Sequence, residues 1–169
     1  PDHPNVLAKM GSDDGFSVIL NGHVDVVPAG DRSQWDYDPF GGEITDKRIL
    51  GRGASDMKAG VAGLLFAMKV LKDSGADLKG NIRLHIVSDE ESGSEYGTTW
   101  LCEQGYAEGA NAAIIAGTDN QLDHRIRTER QPAYCLQIHR QVLLMEALAI
   151  TRVIMAILKL NKVWQISKC

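Results

Sequence analysis

The sequence predicts an α/β domain of three layers, with a mixed, mostly parallel sheet flanked by helices, and two observations carry that prediction. Short apolar runs rich in β-branched residues alternate with stretches of helical periodicity, which is the pattern of a layered α/β unit. Those runs also end abruptly in polar residues: Gly22-His23-Val24-Asp25, Asp89-Glu90-Glu91 and Gly117-Thr118-Asp119 each follow a predicted strand. Open α/β sheets gather their ligands at the carboxyl ends of strands. At 169 residues the chain can bury one ordinary core, so residues 1–169 are expected to form a single domain.

Taken in order, Asn5–Ala8 and Phe16–Leu20 read as two short strands, and the Asp14-Gly15 ending of the link between them suits a hairpin turn. From Pro28 to Gly42 the chain is a long loop rich in Asp, Gly and Pro. Its aromatics Trp35, Tyr37 and Phe40 either anchor the loop or line a cleft. A small-residue turn, Gly51-Arg52-Gly53-Ala54-Ser55-Asp56, then leads into a helix expected from about Met57 to Lys72. Val61, Leu64, Leu65, Met68 and Leu71 lie at helical spacing and Gly75 follows as a stop. Asp56 falls at the start of that helix, where an N-cap is its commonest role. The paired glycines lack the spacing of a nucleotide-binding loop.

Asn81–Ser88 has the alternation and apolar finish of an internal strand, with His85 in its middle, away from the strand ends and therefore structural. Ser94 to Gly105 is expected as a short helix capped by Ser94, with Trp100 and Leu101 facing inward. Asn111–Ala116 is the next strand, Ala133–Ile138 a further one ending at His139, and a nearly apolar helix is expected over 142–160.

Composition narrows the class of function. The net charge of −4, with 44% hydrophobic and 24% charged residues, carries no nucleic-acid signature. The apolar stretch 142–160 is interrupted by Glu146 and Arg152, so it reads as a helix of a soluble protein and not as a membrane span. Cys102, Cys135 and Cys169 are odd in number and show no CxxC spacing, which fits a reducing, cytoplasmic compartment. The chain opens Pro1-Asp2-His3-Pro4 without an initiating methionine or signal peptide, as expected of a portion of a longer protein.

His23, Asp56 and Glu91 are three candidate metal ligands carried by three successive strand ends. Imidazole nitrogen with carboxylate oxygen suits Zn²⁺, Co²⁺ or Mn²⁺. Asp25, two residues beyond His23, can orient the ring, and adjacent acids such as Glu90 and Glu91 can divide metal binding from proton transfer.

Four motifs in order then become recognisable: Gly22-His23-Val24-Asp25-Val26-Val27-Pro28; Trp35 with Asp38-Pro39-Phe40; Gly51-Arg52-Gly53-Ala54-Ser55-Asp56-Met57-Lys58; and Asp89-Glu90-Glu91 with Gly93. Together they resemble the M20 metallopeptidase family, nearest its acetylornithine deacetylase and succinyl-diaminopimelate desuccinylase members. The resemblance covers residues 5–116 and leaves 117–169 divergent. It implies a zinc-peptidase-like fold and a hydrolase with two metal ions, Zn²⁺ or alternatively Co²⁺ or Mn²⁺, that splits an amide bond in an N-acyl amino acid or small peptide. It also implies that His23 binds one metal, Glu91 the other, and Asp56 both, with a cis bond after Asp56. Asp25 would orient His23 and Glu90 would be the general base.

Where the family usually has a Glu-Pro pair with a ligating glutamate, this chain has Ala116-Gly117-Thr118-Asp119. Either Asp119 takes the place of that ligand, or Gly117-Thr118-Asp119 corresponds to a later motif that follows the family's lid domain. In the second case 117–169 is the closing part of the catalytic domain, and His139 is either the last ligand or a surface histidine. The chain is too short to hold the lid, so a truncated scaffold with at most a partial metal site is the alternative function. A homodimer is compatible with the resemblance, but the lid that usually forms it is missing.

Overall fold

A computed structural model describes residues 2–45 and 48–116, and the backbone of 134–137. Among the described residues the main sheet has five strands: β1 (Val6–Gly11), β2 (Phe16–His23), β5 (Gly80–Val87), β6 (Ala112–Ile115) and β7 (Tyr134–Gln137). Two further strands, β3 (Glu43–Ile44) and β4 (Ile49–Leu50), make a small separate hairpin. The main sheet runs in the order β1-β5-β2-β6-β7. Only β1 is antiparallel to its neighbour, so the sheet is mixed and mostly parallel, as expected.

The helices follow from the alternation within β2. Val18 and Leu20 point to one face, where α1 (Gly60–Asp73) lays down Val61, Leu64, Ala67 and Leu71, and Ile82, Leu84, Ile86 and Ile114 from the flanking strands complete this core. On the opposite face, Asn21 Nδ2 donates to Thr98 Oγ1 at 3.4 Å, which places the start of α2 (Thr98–Glu103) over that side. Helix, sheet and helix give the three layers. Among the described residues no helix is long and apolar enough to cross a membrane.

Three local expectations are corrected. β1 and β2 do not form a hairpin, because β5 lies between them, pairing with β1 from Val6↔Ile86 to Gly11↔Asn81. The link from Ser12 to Gly15 instead steps across the start of β5, with Ser12 N donating to Gly80 O at 3.0 Å. A strand buried along nearly its whole length, as β5 is, gains more by pairing along both edges than a local turn can offer. Next, the first helix begins at Gly60, not Met57: residues 54–59 form a wide turn in which Asp56 and Met57 leave helical geometry. Its far end falls where expected, with Gly75 N donating to Lys72 O.

The third correction concerns Ser94, which does not cap a helix. It has φ of 63°, and α2 starts only at Thr98 because Asp89 holds the intervening residues in turns. Leu101 is buried as expected, but Trp100 is 40% exposed and packs beside Tyr106, since six residues present only one narrow inward face. The helix expected over 142–160 and residues Asp119 and His139 lie outside the described residues.

His85 sits in the middle of β5, buried, and burial together with the Arg83 charge lowers its pKa to about 4. Its ring therefore stays neutral in the fold while the same ring in the unfolded chain takes up a proton below about pH 6.5. The unfolded state binds the extra proton, so stability is full above that pH and falls as pH drops from about 6.5 towards 4. Denaturation at pH 7 and pH 5 should show a loss on the order of 2 kcal/mol that His85→Leu removes.

Candidate metal centre

The parallel pairing of β2 and β5 ends at His23↔Val87, with Val24 N donating to Val87 O at 3.0 Å. The segments that follow, 24–28 and 88–97, therefore emerge side by side. His23 is 5% exposed, and its ring is held between two sets of oxygens. Nδ1 lies 3.1 Å from the carbonyl oxygen of Asp25 and 3.4 Å from Asp25 Oδ1. Nε2 faces Asp56 Oδ1 at 3.2 Å and Glu90 Oε2 at 3.7 Å.

Asp25 does more than orient the ring. Its Oδ2 accepts from the Glu91 N–H at 2.9 Å, so one carboxylate joins the strand end bearing His23 to the turn bearing Glu91. Ligand atoms of His23, Glu90 and Glu91 all lie within 4.8 Å of one another. Asp56, on the turn that precedes α1, faces the same Nε2 as Glu90. Its side chain makes no cap to the helix, and the Asp56–Met57 bond is cis, as the resemblance implies.

Gly53 makes that turn possible. Its φ is 77°, and a Cβ there would stand 2.2 Å from Val26 Cγ1, so only glycine lets the turn bearing Asp56 approach the chain that follows β2. The aromatic loop is anchored to this turn. Trp35 Nε1 donates to Ala29 O at 2.9 Å, the Arg52 guanidinium lies 4.8 Å over its ring, and Tyr37 meets it edge-on at 5.5 Å. Arg52 N also donates to Pro39 O. Phe40 stays exposed.

The donor chemistry fits a divalent cation. If Nδ1–H donates to the Asp25 carbonyl, the Nε2 lone pair faces the oxygens of Asp56 and Glu90, an arrangement of like polarity that a proton or a cation between them stabilises. Asp25 Oδ1 is buried without a hydrogen-bond partner, beside the same ring. The imidazole is buried and the carboxylates of Asp56 and Glu90 are about half exposed (55% and 50%), so the pocket floor is rigid and its rim reaches water.

Of the expected site residues, His23, Asp25, Asp56, Glu90 and Glu91 come together here. Asp89 was visible only as the first of three acids, yet it is 2% exposed and holds the turn carrying the other two. An acid directly before two candidate ligands carried no periodicity that could mark it as buried.

The peptidase family M20/M25/M40 model matches residues 19–152. The chain is 42% identical over 123 residues to N-formyl-4-amino-5-aminomethyl-2-methylpyrimidine deformylase of Bacillus subtilis, and 41% identical over 120 residues to succinyl-diaminopimelate desuccinylase of Rhodospirillum centenum. Those matches cover 71% and 69% of this chain but only 28% and 30% of the relatives. Among solved structures it is similar to human carnosine dipeptidase 1 (TM-score 0.58, 33% identity, covering 68% of this chain and 25% of that one). It is likewise similar to an M20 family metallo-carboxypeptidase from Sulfolobus solfataricus (TM-score 0.59, 32% identity, covering 69% and 27%). The chain thus spans under a third of the length of these relatives, and it belongs to peptidase family M20/M25/M40.

Proposed function

We propose that this chain is the catalytic-type part of a metal-dependent amide hydrolase acting on an N-acyl amino acid or small peptide, the chemistry of the deacylase and desuccinylase type. The observation that carries the reading is that Asp56 and Glu90 face Nε2 of a buried His23, with ligand atoms of His23, Glu90 and Glu91 all within 4.8 Å of one another. Kinship with a desuccinylase, a deformylase and a dipeptidase supports it, since each of these names describes cleavage of a C–N bond to a carbonyl.

In this reading His23 and Glu91 would each hold a divalent cation and Asp56 would contribute to both, with Zn²⁺ as the metal and Co²⁺ or Mn²⁺ as alternatives. Bound cations supply Lewis acidity, which polarises an amide carbonyl and lowers the pKa of water. Glu90 takes the proton as water adds to the carbonyl carbon, then hands it from its carboxyl oxygen to the amine nitrogen as the C–N bond breaks. Its half-exposed side chain, beside His23 Nε2 but free to reach water, suits that task. Asp25 orients His23 through Nδ1 and steadies Glu91 through its N–H. Asp119 and His139 are the proposed additional ligands, and residues 1–169 the proposed single domain, with the cysteine pattern supporting a cytoplasmic setting.

The second reading is a scaffold with a partial metal site and little turnover. Titration calorimetry with Zn²⁺ or Co²⁺, followed by hydrolysis assays on N-acetyl- and N-succinyl-amino acids, separates the two. Glu90→Gln should keep the metal while hydrolysis falls by about 10²-fold or more. A protein that binds metal but hydrolyses none of these substrates is the scaffold.

The ligand assignment has its own checks. His23→Ala should lower metal content whereas His85→Ala should not, and equal losses would overturn it. Asp25→Ala should weaken metal affinity by about 10- to 100-fold, measured by the same calorimetry.

A further inference from the structure

We infer that Asp89 is a positioning residue for Glu90 and Glu91, a role that rests on reading those two acids as parts of the metal centre. Asp89 is 2% exposed at the point where β5 gives way to the 90–97 turns. Its backbone oxygen accepts from Ser92 N at 3.2 Å and from Ser94 N at 2.9 Å, closing the chain just beyond the two acids. Its side-chain Oδ2 accepts from Tyr96 N at 2.7 Å, closing the same loop at its far end. Tyr96 is fixed from its other side as well, since its carbonyl accepts from Asn5 Nδ2 at 2.9 Å.

The result is a short closed loop that carries Glu90 and Glu91 directly after Asp89. Its backbone is tied to the strand end bearing His23 through the Asp25 carboxylate on Glu91 N–H. A loop tied at one point can swing about it; one closed on itself by Asp89 presents both acids at a fixed depth, in reach of the imidazole. A buried carboxylate is costly unless its oxygens are used. Here Oδ2 is met by a charge-assisted bond from a backbone N–H, which is stronger than a neutral one, while Oδ1 is buried without a hydrogen-bond partner.

Gly97 is the counterpart of Asp89. A Cβ at Gly97 would stand 2.2 Å from Asp89 Oδ1 and 2.9 Å from Val87 Cβ, so the carboxylate and the backbone start of α2 occupy touching space. Gly97→Ala therefore displaces the Asp89 carboxylate without removing it. It offers a second, chemically different way to open the loop.

The test compares wild type with D89A, D89N and G97A by amide hydrogen exchange in the metal-free protein and by Co²⁺ titration. D89A and G97A should lose exchange protection at Tyr96 and also at Glu91, whose own acceptor is untouched, and Co²⁺ affinity should fall by about 10-fold or more. D89N keeps an oxygen for the Tyr96 N–H and should stay near wild type in both readouts. If Tyr96 loses protection while Glu91 and Co²⁺ affinity are unchanged, Asp89 serves only its own loop and the inference is overturned. Equal losses in D89N and D89A would overturn it too, since the acceptor oxygen would then not be what matters. Should D89A not fold, G97A carries the same comparison. If wild type takes no Co²⁺, the metal reading fails by itself, and exchange at Glu91 still decides the role of Asp89.

Discussion

The in-register parallel pairing of β2 with β5 is the constraint on which the rest depends. It runs the full length of both strands and ends at His23↔Val87, so the two chains leave the sheet at the same level. Two segments distant in sequence are delivered to one edge with their directions matched. An antiparallel pairing would send one of them to the opposite end of the sheet, and the acids of residues 89–91 would be remote from His23. α1, packed on one face through Val61, Leu64 and Leu71, brings the turn carrying Asp56 to that same edge.

The two ends of the sheet are built for different work. At the amino-terminal end of β2, Ser17 Oγ donates to Asn81 Oδ1 at 2.6 Å and accepts from Arg83, whose guanidinium also donates to the carbonyls of Tyr106 and Glu108. Asn111 exchanges two bonds with the Ser17 backbone. Polar groups there are paired with one another, and they stitch the chain between α2 and β6 to the sheet. At the carboxyl-terminal end, by contrast, carboxylates face one imidazole with few donors among them. Buried polar groups are ordinarily satisfied, and Asp25 Oδ1 at this end is not, which is in keeping with the metal site proposed there.

Within that end, burial is graded. The imidazole and Asp89 are enclosed, Asp25 is nearly so, and Asp56 and Glu90 stand half in solvent. A rigid floor with an accessible rim lets a ligand enter without unfolding anything, and it places the group proposed to move protons where water is available.

Much of this was legible in the residues alone. Apolar runs ending in Gly22-His23, in Asp89-Glu90-Glu91 and in Ala116 determined that there would be strands, that they would be largely buried and that their chemistry would lie at their ends, because side-chain hydrophobicity and strand period are local properties. Four ordered motifs determined the family for the same reason. What only the tertiary structure decided was adjacency. β5 entered between β1 and β2, displacing the expected hairpin, because pairing on both edges is a long-range gain that no local turn signal encodes. The start of α1 moved to Gly60, and the Asp56 carboxylate turned to His23 instead of capping the helix, because the turn is shaped by Gly53 pressing on Val26. And Asp89, one of three like residues in a row, became the buried tie of its loop, since burial depends on what packs against a residue and not on what precedes it.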